Sequence, residues 1–298
     1  MSQLPVFQFS KILFPNETPR YSPTNEWIFP SVISTEHLKN PLAKWYMYYS
    51  PHDAPGGICL ATADSPEGPW REYPKNPLIQ NVWTPHYSVS HVASPHALWI
   101  PAEKKMFLWF HGENDTTRLA TSTDGIHFDY EGVALSTKDF DGISECSYAR
   151  VFEHSLPSKK SRYLFSMMGN EGGTRKLFLA WSKDGRSWDV QRKPWIPPPV
   201  GSGGQTSAPW LFSWKGRLYV LHHCDLMNSF GDFYATEINA EGEIVGETFL
   251  FHKALAGAPD DTRVADVHIL ETEKELLMFY IAGQRLKGKI ALARAPKN

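Results

Sequence analysis

The chain has 298 residues, with 30 Lys and Arg against 32 Asp and Glu and a formal net charge of −2. That balance supplies neither the basic patch a nucleic acid needs nor the charge that holds a protein to a membrane surface, and no apolar run reaches membrane-spanning length, so neither partner is expected. The three cysteines, Cys59, Cys146 and Cys224, fit no metal-binding spacing and no complete disulfide set; with no basic-then-apolar leader at the N-terminus, a reduced, cytoplasmic setting is expected.

In chain order, a β-prone segment at residues 6–13 stands alone. An inner strand follows at 30–33, an aromatic strand at 44–49, a third strand at 57–62 and a turn at 63–70. The succession returns at 95–99, 105–110, 118–122 and a turn at 123–128, then at 149–152, 162–167, 176–181 and a turn at 183–188. A fourth copy runs through 209–212, 217–222, 232–236 and a turn at 240–244, and a fifth has only 267–270, 276–280 and 289–294. Asp64, Asp124, Asp184 and Glu241 mark the turns at intervals of roughly 60 residues. Asp124-Gly125 and Asp184-Gly185 suit two-residue hairpin turns with positive φ.

A fixed period with several short strands per unit is the mark of a propeller. The expected fold is all-β: a five-bladed β-propeller forming one domain over residues 1–298. The orphan N-terminal segment is expected to supply the fourth strand of the last blade, which removes an exposed edge. No long stretch has helical periodicity. Aromatic residues make up 13% of the chain, which supplies the area needed for blade-to-blade packing. Trp27, Trp83 and Trp210 stand apart because they lie at or near inner strands.

In such a ring the starts of the inner strands and the loops joining second to third strands share one face. Those segments should line a funnel, closed over by residues 225–232 and by the region of His86. Histidine is not a favoured turn former, yet His52, His86, His91, His111, His222 and His223 gather there. Asp53, Glu171, Asp225 and Arg263 lie among them, and Trp83 adds an aromatic face near the channel. Imidazoles beside carboxylates suit hydrogen bonding to sugar hydroxyls, or proton transfer near neutral pH. Apart from His86, all of these are candidate substrate-binding residues.

With its repeat organisation and its Asp-Gly-x-x-aromatic hairpins, nearly the whole chain resembles the five-bladed propeller glycoside hydrolases of families 43, 32 and 117. The resemblance implies two carboxylates flanking a glycosidic bond, one to protonate the leaving oxygen and one to act as base or nucleophile. Glu145-Cys146-Ser147 is similar to the segment that carries the general acid in families 32 and 43, so Glu145 is the expected acid. Those families place an Asp before Pro on the first inner strand; here Phe29-Pro30 occupies that slot, so Glu26, Asp53, Asp266 or a histidine such as His91 could substitute, and Glu26 or Asp266 is the expected partner carboxylate. The implied activity is exo-acting hydrolysis of a small oligosaccharide, with a carbohydrate as the only expected partner. Oligomeric state is left open. No cofactor is expected, although some relatives hold a channel cation such as calcium, and no spacing here demands a metal. Two alternatives stand beside this reading: a non-catalytic sugar-binding propeller, and a phosphorolytic enzyme that would use Arg175, Arg263 and Arg285 for phosphate.

Overall fold

In the computed structural model of the protein, the described residues are 4–14, 19–202, 204–226, 230–253, 257–258, 260–261 and 263–297. They contain no α-helix and five four-stranded antiparallel sheets. The chain begins with β1 (Gln8–Ile12). Blade I is β2 (Ile28–Ser34), β3 (Trp45–Ser50), β4 (Cys59–Ala63) and β5 (Arg71–Glu72). A small hairpin, β6 (Val82–Trp83) with β7 (Tyr87–Ser88), leads into blade II. Blade II comprises β8 (Val92–Ile100), β9 (Lys105–Gly112), β10 (Thr116–Ser122) and β11 (Asp129–Ser136). Blade III is β12 (Ser147–Glu153), β13 (Tyr163–Glu171), β14 (Thr174–Ser182) and β15 (Asp189–Val190). Blade IV is β16 (Gln205–Trp214), β17 (Arg217–Leu226), β18 (Phe230–Ile238) and β19 (Phe249–His252). Blade V is β20 (Val264–Glu271), β21 (Glu275–Ala282) and β22 (Lys289–Pro296), and β1 pairs antiparallel with β22 to complete it. The expected propeller and its closure by the N-terminal strand are both present.

The blades pack through strand alternation. Successive side chains of a strand face opposite sides of its sheet, so a strand flanked by two blades can be apolar throughout. On β9, Met106, Leu108 and Phe110 join Tyr46, Tyr48 and Leu60 of blade I, whereas Phe107 and Trp109 join Phe165 and Phe178 of blade III. Equivalent layers unite blades III and IV around Leu164, Leu177 and Val220, and blades IV and V around Leu221, Phe233 and Met278. The ring is sealed between blades V and I, where Phe279 and Leu292 meet Trp27 and Met47. Each such fully buried side chain contributes about 1.5–3 kcal/mol, which is why aromatic and branched residues fill these strands.

The Asp-Gly hairpins are longer than expected. β10 ends at Ser122 and β11 begins at Asp129, so the connection is residues 123–128 rather than two residues. The Asp124 carboxylate accepts hydrogen bonds from the backbone N–H of Ile126 and of His127, both at 2.8 Å, and Gly125 takes the positive φ (74°). Asp184 and Gly185 repeat the arrangement. The Asp side chain itself organises the loop, which relaxes the demand for a tight turn.

A second feature recurs in all five inner strands. The ladder to the second strand is interrupted between Ile28 and Ser31, Ala93 and His96, Ser147 and Arg150, Ser207 and Trp210, and Ala265 and His268. Inside each interruption one non-glycine residue has a left-handed backbone: Phe29, Ser94, Tyr148, Ala208 and Asp266, with φ between 47° and 60°. A bulge bends its strand and re-aims the residues around it. Five bulges at one level therefore define a common geometry around the axis.

Candidate functional site

The bulges give the channel a numbering of its own. Three residues before each left-handed position stand Glu26, His91, Glu145, Gln205 and Arg263, a polar ring contributed by blades I to V in turn. Two residues after it stand Ser31, His96, Arg150, Trp210 and His268, all buried. Between the two levels a plug of Ile28, Phe29, Ala93, Tyr148, Met168, Ala265 and Ile281 packs on the axis.

Above this plug is a small pocket. Its polar wall is Glu26, His52, Tyr148, Arg175, Ser207, His223, Arg263 and Arg285; Ile28, Phe29, Ala265 and Ile281 form its floor. Of the expected residues, Glu26, His52, His223 and Arg263 line it directly. Glu145, Asp53 and Asp225 stand behind the wall, each binding one of its arginines. Glu145 is held in a two-bond fork by Arg175, with Nε and Nη2 at 2.9 and 2.8 Å. Asp225 accepts from Arg263 at 3.3 and 3.4 Å, and Asp53 from Arg285 at 2.5 Å.

Glu26 is the carboxylate that reaches the pocket. It is 1% exposed. Burial pushes its carboxyl above the usual range, against the pull of backbone N–H groups of His52, Leu286 and Gly288 and the Thr24 hydroxyl. Asp266, three residues beyond Arg263 and at the left-handed position itself, is sealed beneath the pocket. It is ion-paired with Arg150, and neither side chain has any exposure. Burial pushes its carboxyl up as well.

The histidines divide. His52 Nδ1 lies 2.6 Å from Asp53 Oδ1, so it carries the proton and donates; Nε2 is then free to accept from the Tyr148 hydroxyl at 3.3 Å. Burial lowers the His52 pKa and raises that of Tyr148 to about 12, which keeps the pair neutral at pH 7. His223 Nδ1 accepts from the Asp266 backbone N–H, which fixes its proton on Nε2, facing Asp225 at 3.9 Å. His111 lies behind Tyr148, ring centres 5.1 Å apart, with His91 against it at 5.5 Å. His222 is the strand neighbour of His223 and therefore points to the other face of β17, against Thr236 and Tyr234. Glu171 is at the β13–β14 hairpin, paired with Lys176 at 2.5 Å. Trp83 and His86 pack on Tyr130 in the β6–β7 hairpin, outside the pocket wall. Of the segment expected to close the funnel, residues 227–229 lie outside the described residues.

Sequence reasoning missed Tyr148. The available signal was proline: Pro30, Pro95 and Pro209 each follow a left-handed residue, and a proline inside an inner strand points to a bulge. Among the described residues no group of three or more His, Cys, Asp or Glu side chains has a metal-binding arrangement. No helix among them is long and apolar enough to cross a membrane.

No family model and no curated protein matches the sequence. Solved structures do match. An exo-1,5-α-L-arabinanase from a bovine ruminal metagenomic library aligns with 10% identity and a TM-score of 0.65, over 91% of this chain and 93% of that one. A thermostable family-43 glycoside hydrolase gives 11% identity and a TM-score of 0.62 over 90% and 88%. A β-1,2-mannobiose phosphorylase from Listeria innocua gives 13% and 0.61 over 81% and 67%. At these identities the likeness is one of fold: the chain has the five-bladed propeller found in family-43-type glycoside hydrolases.

Proposed function

We propose that the protein is a glycosidase that removes a terminal sugar from a small oligosaccharide, with Glu26 as proton donor and Glu145 as its partner carboxylate. The observation that carries the reading is the shared level of these two residues. Each lies three positions before a left-handed bulge, in blades I and III, so the two carboxylates share one level of the ring, Glu26 in the pocket wall and Glu145 behind Arg175. Their surroundings differ in the way an acid–base pair needs. Glu26 is buried and shifted toward its neutral, proton-donating form. Glu145 has both oxygens in hydrogen bonds from Arg175, an arrangement suited to an anion. These roles are the reverse of those expected from the sequence. Glu26 would protonate the glycosidic oxygen as its bond to the anomeric carbon breaks, and Glu145, once released from Arg175, would take the proton of the attacking water.

Glu26→Gln should lower turnover of natural glycosides by ~10²–10⁴ and spare aryl glycosides, whose leaving groups need little protonation. Glu145→Gln should impair both. The pH profile of kcat/KM gives an independent readout. The acid must hold its proton, so activity should fall as pH rises through the raised Glu26 pKa, and the Glu26→Gln variant should lose that alkaline limb. Parent-like hydrolysis of natural glycosides by Glu26→Gln would make Glu26 structural.

A sugar-binding protein without turnover is the second reading. It is favoured by Phe29, which fills on blade I the left-handed position that Asp266 holds on blade V. Binding with no hydrolysis across a broad glycoside panel would establish it.

A further inference from the structure

We propose that Arg175, Arg263 and Arg285 form an oxyanion subsite in the pocket, taking either the carboxylate of an acidic sugar unit or free phosphate. For the sugar half this rests on the glycosidase reading above.

A guanidinium carries five N–H donors in a rigid fork. Arg175 and Arg263 each commit Nε and Nη2 to a carboxylate, and Arg285 commits Nη2. In none of the three does Nη1 hydrogen-bond to a described residue. Arg186, at the protein surface, is different: its Nε, Nη1 and Nη2 all donate to Glu103 and Glu131. The pocket arginines are thus anchored from behind and left with donors to spare. Glu145, Asp225 and Asp53, the anchoring carboxylates, are absent from the pocket lining, whereas all three arginines are in it.

A second observation points the same way. Ser207 lines this pocket, is 3% exposed, and its hydroxyl has no hydrogen-bond partner among the described residues. Buried hydroxyls are normally paired, so an orphan in a pocket wall marks a place where a ligand atom belongs. The wall is therefore rich in donors and poor in acceptors. Glu26 is the one carboxylate in it, and burial raises its pKa above the usual range. A neutral sugar hydroxyl asks for donors and acceptors in balance. An oxyanion asks for donors alone, and a charge-assisted fork serves it best.

The two sources give different products. An acidic glycoside would be hydrolysed by water. Free phosphate would bond through one oxygen to the anomeric carbon as the glycosidic C–O bond breaks, with the leaving oxygen taking the Glu26 proton, to yield a sugar 1-phosphate and the free alcohol.

Titration calorimetry on the full chain decides the matter. Glucuronate, galacturonate and inorganic phosphate would be compared with glucose and galactose. At least one of the anions should bind ~10-fold or more tightly than the neutral sugars, and Arg285→Gln should remove that margin. Turnover that requires phosphate would assign the site to phosphate; turnover of uronosides without it would assign the site to the carboxylate. Equal affinity of the parent protein for neutral and acidic sugars, with phosphate failing to bind, overturns the subsite whatever the variant does. The two proposals fail separately. Hydrolysis of neutral glycosides with no anion preference removes the subsite and leaves the glycosidase. Anion binding with no turnover of any glycoside removes the glycosidase and leaves the subsite.

Discussion

Arg150 and Asp266 form an ion pair with no exposure on either side chain. Arg150 also donates from Nη1 to Ser94 at 3.2 Å and to the Ala149 carbonyl at 2.8 Å, so it ties blades II, III and V together beneath the pocket. A buried pair is weak evidence of net stabilisation, but breaking it strands a polar group without water. Arg150→Met should therefore cost about 3–5 kcal/mol, read as a lower urea midpoint. The double variant Arg150→Met/Asp266→Leu should recover much of that loss. If the two variants are equally unstable, the pair's role is packing alone. This pair also shows why sequence gave only part of the site. Asp266 was legible as an acid near the channel, but its partner lies 116 positions away. The same holds for Glu145, whose fate depends on Arg175, 30 positions on.

At the scale of the element, strands were legible because each repeats the same succession and alternation. The bulges were legible only in part: a proline follows Phe29, Ser94 and Ala208, but these three, Tyr148 and Asp266 share no residue type and none is glycine. What they share is a place in the ring, and that exists only once the blades are assembled. The N-terminal strand is the opposite case, since a strand without a unit and a unit without a strand could be matched on sequence alone. β1 covers the edge of β22, and the adjacent Phe7 and Leu4 are buried at 4% and 8% exposure in the layer between blades IV and V. Deleting residues 1–13 should remove about 1.5–3 kcal/mol for each of those two side chains and leave β22 with an open edge. Calorimetry should show a lower and broader melting transition. A truncated protein that melts like its parent would mean the closure is dispensable.

The whole molecule carries an acid sensitivity of its own. His96, His111, His222, His223 and His268 are all buried, and burial lowers the pKa of each below the ordinary 6.5, to about 3 for His96 and His222. Between the lowered value and 6.5 the unfolded chain binds protons that the folded one refuses. Stability must then fall as pH drops below about 6.5, by up to ~1.4 kcal/mol per pH unit for each such histidine. Urea midpoints measured from pH 7 to pH 4 should show a steep, cumulative loss, and replacing His222 by Phe should make the slope shallower. A midpoint unchanged down to pH 5 would mean that these imidazoles are charged in the native protein.

The pairing of β1 with β22 joins two strands made far apart in time. Ile12 leaves the ribosome some 280 residues before Lys289 and the strand that begins there. At ~5–20 residues per second, that is a wait of roughly 15–60 s. For that time four blades can assemble, but the ring cannot close, and one adhesive strand remains without its mate. Closure of the propeller is therefore a late step in its synthesis, which each nascent chain must reach before a neighbouring chain or a protease finds the unpaired strand.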